Sequence, residues 1–79
     1  MVTLAKMQEQ VRVAEELEQL AIKAIETMSM EALGEYGEMF SHHATWTLPR
    51  NFEKTENMML ASKLFLKHME EAERAYLGR

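Results

Sequence analysis

The sequence predicts an all-α fold: an antiparallel helical hairpin of two long helices with a short middle helix, a three-helix arrangement in all. Three observations point to it. Apolar side chains recur at steps of three and four over residues 3–28 and again over 51–77, the period of a helix with a buried face. The two stretches are matched in length, so they can lie side by side along their full extent. Gly34, Gly37, Pro49 and the single Trp all fall between them, where the chain has to turn.

The first helix is expected over 3–28. Thr3 suits the N-cap, because its hydroxyl accepts from a backbone N–H that has no partner inside the helix. Leu4, Met7, Val11, Ala14, Leu17, Ala21, Ala24 and Met28 form one apolar line, and Val13, Leu17, Leu20 and Ala24 form a second beside it. With Ile25 these lines cover roughly 200° of the circumference, about twice what a single neighbour covers. A helix that wide calls for two neighbours, hence a third helix or a second chain.

A short helix is expected over 29–41, capped by Ser29, with Glu31 at the positive end of its dipole. Gly34 and Gly37 lie inside it, each costing up to ~1 kcal/mol relative to Ala; they mark either a close approach of another helix or local flexibility. Residues 42–50 read as loop. There Trp46 is placed to plug the open end of the hairpin or to anchor a partner. Pro49 turns Leu48 away from helical geometry, and Asn51 offers a cap for a last helix over 51–77. That helix sets Phe52, Met59, Phe65, Leu66, Met69 and Tyr76 on one face, with Glu70 and Arg74, and Lys67 and Glu71, paired at i,i+4. Gly78 suits a left-handed terminator.

Seventy-nine residues make a single domain, 1–79, with a core that alone supplies only ~3–5 kcal/mol. There is no Cys, so neither a disulfide nor a thiolate zinc site can add to it. Self-association or a protein partner is therefore expected. Thirteen acidic against nine basic side chains oppose direct nucleic-acid binding, which needs clustered Lys and Arg. The longest apolar run, Met58–Ala61, is far short of a membrane span. No secretory pattern opens the chain, so a cytoplasmic protein without a membrane partner is expected.

Catalysis finds little foothold. Ser29, Ser41 and Ser62 have no glycine-rich elbow beside them, and Gly34 and Gly37 precede acids rather than a phosphate-binding Lys. A non-enzymatic protein with no cofactor is expected. Glu35, Glu38, His42, His43 and His68 are the residues from which a metal site would be drawn, but neither Glu-x-x-His nor His-Glu-x-x-His occurs. Eight methionines suit a forgiving core or an adaptable groove.

Leu60 and Leu64 fall on the side of the last helix opposite Phe52 and Leu66, and would face water in a lone hairpin. The reading that follows is a small acidic interaction module, an adaptor, small chaperone or inhibitor of the compact kind that phages and bacteria use. Val13, Leu20, Trp46, Leu60 and Leu64 would be its apolar anchors, and Glu16, Glu53 and Glu56 would steer a basic partner protein. The alternative is a homo-oligomeric bundle that holds a metal or small ligand through its Glu and His side chains.

Overall fold

The structure, a computed structural model, describes residues 3–78. Three helices account for most of them: α1 (Leu4–Thr27), α2 (Met30–Trp46) and α3 (Glu56–Leu77). The all-α, three-helix expectation holds, and each helix packs on the other two. α1 is the shared wall, and its double-width apolar surface is answered within the chain, by α2 on one side and α3 on the other.

Helix ends follow side-chain caps. Thr3 accepts from the Lys6 N–H at 3.2 Å, and Ser29 accepts from the Ala32 N–H at 3.1 Å, both as expected. α1 stops at Met28, which takes the left-handed conformation (φ 53°) and donates its N–H to the Ala24 carbonyl. The chain thus reverses within two residues, and α1 and α2 are separate helices.

The middle of the chain departs from expectation in two places. Residues 42–46, expected in a loop, continue α2 through Trp46. His42–Trp46 contain no breaker, and the helix runs on until its end is tied by Thr47 and Leu48, whose N–H groups both donate to the His43 carbonyl (2.9 and 2.7 Å). α3 begins at Glu56 rather than 51, because Thr55 is the cap that works: its hydroxyl accepts from the Met58 N–H at 3.1 Å. Phe52 lies instead in a turn in which its N–H donates to the Pro49 carbonyl at 3.1 Å. Gly78 caps α3 with φ −80°, so the left-handed terminator expected there is not used.

A middle helix of 17 residues changes the relation of the long helices. Glu18 accepts from the Thr55 hydroxyl at 3.0 Å, so the start of α3 lies beside the middle of α1. Met28, at the end of α1, shares a cleft with Leu64 and His68 farther along α3. The two long helices therefore run parallel, not antiparallel, and α2 is the antiparallel neighbour of each. Their register is staggered. The bundle is 51 Å long, against ~36 Å for a 24-residue helix such as α1.

The core sits where all three helices overlap. Val13, Leu17, Ala21 and Ala24 of α1 meet Ala32, Leu33 and Tyr36 of α2 and Met58 and Ala61 of α3, with Leu48 closing the loop end. The small residues Ala21, Ala24, Ala32 and Ala61 let the helix axes approach, while Leu17, Tyr36 and Met58 fill the volume between them. Gly37 belongs to the same logic. A Cβ there would sit 2.5–2.6 Å from three Phe65 ring atoms, whereas one at Gly34 would meet nothing within 4 Å. One glycine marks a close approach and the other does not.

Tyr36 pins α2 to α3. Its ring is buried, its O–H donates to the Met58 carbonyl at 2.9 Å, and the Ser62 hydroxyl lies 2.9 Å from the phenol oxygen. With the Tyr36 proton on the carbonyl, Ser62 is the donor of the second bond. Desolvation pushes the Tyr36 pKa above its ordinary 10.0; the Ser62 bond opposes this and the nearby Glu18 carboxylate adds to it. Beyond Tyr36 the aromatic contacts run to Phe40 and on to Phe52, with the Lys54 ammonium 4.8 Å from the Phe40 ring centre.

Candidate functional site

A groove of about 690 Å³ runs between α1 and α2, lined by Arg12, Glu15, Glu16, Gln19, Leu20, Lys23, Glu35 and Met39. It arises from helix geometry. Leu20 sits on the α2 side of α1, one turn from Leu17 and Ala24 and two from Val13, and Met39 follows Tyr36 around α2. Both are half-buried against the core, leaving an apolar floor between two charged walls. Arg12 and Glu16 pair across one turn at 3.0 Å, the one ion pair among the described residues, and this leaves Glu15 and Glu35 as unpaired carboxylates on opposite walls with Lys23 at one end. Leu20 and Glu16 are anchor and rim residues expected from the sequence; Met39 is an added one, legible only once α2 is known to face α1.

The other expected anchors do not join them. Val13 is 0% exposed, a core residue and not a contact for a partner. Its line on α1 faces the interior because α2 supplies the second neighbour that the width of α1 requires. Leu60 is 45% exposed on α3. Leu64 is half-buried and lines a cleft of about 210 Å³ with Met28, Leu33, Lys67, His68 and Glu71. That cleft lies where α3 passes the joint between α1 and α2, and it shares no lining residue with the α1–α2 groove. Trp46 is 75% exposed at the end of α2 and plugs nothing; Leu48 takes that place. Glu53 and Glu56 are exposed at the loop and at the start of α3. The anchors expected from the sequence thus lie on separate faces.

The candidate metal ligands are also dispersed. Glu35, Glu38 and His42 are exposed along α2, and His68 lies in the α3 cleft. His43 turns its Nδ1 toward the Thr47 hydroxyl at 3.1 Å, and its Nε2 is the one buried side-chain N or O among the described residues without a partner. Among the described residues, no three His, Cys, Asp or Glu side chains are grouped so as to hold an ion. No described helix is long and apolar enough to cross a membrane.

No protein-family model, no curated protein and no solved structure matches the chain.

Proposed function

We propose that this chain is a non-catalytic interaction module that receives an amphipathic helix of another protein in the α1–α2 groove. The observation that carries the reading is the groove itself, with Leu20 and Met39 on its floor between the unpaired carboxylates of Glu15 and Glu35. An apolar floor between two helices is where a further helix of a bundle lies, and grooves of this kind take helices by their i, i+3, i+4 apolar residues. The acidic walls favour a partner whose helix is flanked by Lys or Arg, through encounter rate and orientation more than through raw affinity. Such a module suits an adaptor, a small chaperone or an inhibitor.

Site-specific photo-crosslinking tests this. A crosslinker at Gln19, on the groove, is expected to give a discrete protein adduct, while one at Lys63 on α3 gives none. Glu15→Lys with Glu35→Lys, both at exposed positions, is expected to abolish the adduct with helicity unchanged. Equal adducts from both positions, or an adduct insensitive to the charge reversal, would refute the reading.

A further inference from the structure

The stagger of the two parallel helices leaves each with an uncovered apolar end. On α1, residues 4, 7, 11 and 18 advance by three, four and seven, so Leu4, Met7 and Val11 share a face with Glu18. Glu18 is the residue that bonds the α3 cap at Thr55. The three apolar side chains therefore point into the lane that α3 occupies farther along, but in their part of the lane α3 has not yet begun. Met7 is 51% exposed. What lies beside it is a cleft of about 260 Å³ between the first turns of α1 and the Pro49–Phe52 turn.

At the opposite end of the molecule, α3 outruns its neighbours. Met58 and Phe65 pack inward, and the same line continues through Met69, Ala72 and Tyr76 by steps of four, three and four. From Met69 onward every described residue is exposed, Tyr76 at 80%. The projecting part, Met69–Leu77, is ~12 Å long, and Leu4–Val11 offers ~10 Å of uncovered α1. The vacant lane and the projecting helix thus match in length, direction and apolar character.

Charge is complementary as well. Along Leu4–Val11 and the turn up to Lys54, Lys6, Arg50 and Lys54 outnumber Glu9 and Glu53; along Met69–Leu77, Glu70, Glu71 and Glu73 outnumber Arg74.

We propose that the occupant is a second copy of this chain: the projecting turns of α3 in one copy dock head to tail in the next copy's cleft, between its α1 and its Pro49–Phe52 turn. The contact joins two different surfaces, so each copy keeps one free end, and association continues into open chains unless its rotation closes a ring. The surface is separate from the α1–α2 groove, and the proposal stands or falls independently of what that groove binds.

Sedimentation velocity at increasing concentration tests it, with Met7→Glu and Tyr76→Glu, two substitutions at exposed positions that leave the core untouched. Wild-type protein is expected to grow beyond the monomer as concentration rises and to fall back in high salt. Each variant alone is expected to remain monomeric, with helicity unchanged by circular dichroism. Mixed one to one they should form a dimer and nothing larger, because each supplies the end the other lacks. A wild type that stays monomeric into the hundreds of micromolar would overturn the proposal. So would a single variant that associates as well as the wild type, the behaviour of a like-with-like contact, or a mixture that fails to dimerise.

Discussion

Replacing the two glycines of α2 one at a time separates helix propensity from packing. Ala is favoured over Gly inside a helix by about 1 kcal/mol, and both positions collect that gain. At Gly34 nothing opposes it, since a Cβ would have no neighbour within 4 Å, so Gly34→Ala is expected to stabilise by about 1 kcal/mol. At Gly37 the new methyl would stand 2.5–2.6 Å from three Phe65 ring atoms, so the ring must leave its seat between α2 and α3. Overpacking of this kind costs about 1–3 kcal/mol, which cancels or outweighs the gain. The two variants should therefore differ by about 1–3 kcal/mol, and one kcal/mol moves Tm by roughly 4–8 °C in a domain of this size. Urea titrations followed by far-UV circular dichroism read the difference. Phe65→Leu should restore much of what Gly37→Ala loses, with a coupling above about 0.5 kcal/mol. Equal stabilisation by the two alanines, or no coupling to Phe65, would refute the close-approach account of Gly37.

Two further changes probe the joints of the bundle. Tyr36→Phe removes the bond to the Met58 carbonyl and should cost about 1–2 kcal/mol in denaturant titrations. It should also flatten the alkaline limb of stability. Because burial first of all raises the Tyr36 pKa above 10.0, the unfolded chain ionises before the folded one. The stabilisation is then complete below that value and is lost as pH rises from it through the folded pKa. Comparing urea midpoints of wild type and Tyr36→Phe across alkaline pH, both in a Tyr76→Phe background, isolates this contribution; parallel profiles would contradict it. Met28→Gly should stabilise by about 1 kcal/mol, since a non-glycine residue in the left-handed region carries a penalty of about 1–2 kcal/mol that exceeds the extra chain entropy of glycine. A thermal melt below that of the wild type would show that the exposed Met28 side chain contributes more than its backbone strain removes.

Much of this architecture is legible in the residues. The excess apolar width of α1 calls for two neighbours, and the caps at Thr3 and Ser29 mark true helix starts. What periodicity leaves open is whether the second neighbour comes from the same chain, and α2 settles that by extending through His42–Trp46, residues of modest helix propensity that no breaker interrupts. Once α2 is long enough to traverse the bundle, it reverses the sense of α3, and two helices of similar length come to run parallel. Neither their lengths nor their patterns carry that information. The start of α3 turns on a choice between caps: Asn51 directly precedes the apolar Phe52, but Thr55 is followed at once by Glu56, an acid suited to a first turn. Of the candidate site, Leu20 and Glu16 are found from their positions on α1. Met39 and the acid at Glu35 join them only through the packing of α2, and the clamp from Tyr36 to Met58 and Ser62 depends on a register that no local pattern encodes.

The joint at Met28–Ser29 holds α1 and α2 together with two residues, whereas α3 is tethered by nine, Thr47–Thr55. Closing the longer tether costs only about 1 kcal/mol more entropy, yet it imposes an order. The first two helices can pair as soon as Trp46 has left the ribosome, before the third has emerged from it. The polypeptide can thus assemble in the direction in which it is made, with the last segment arriving as a latch on a pair already shut.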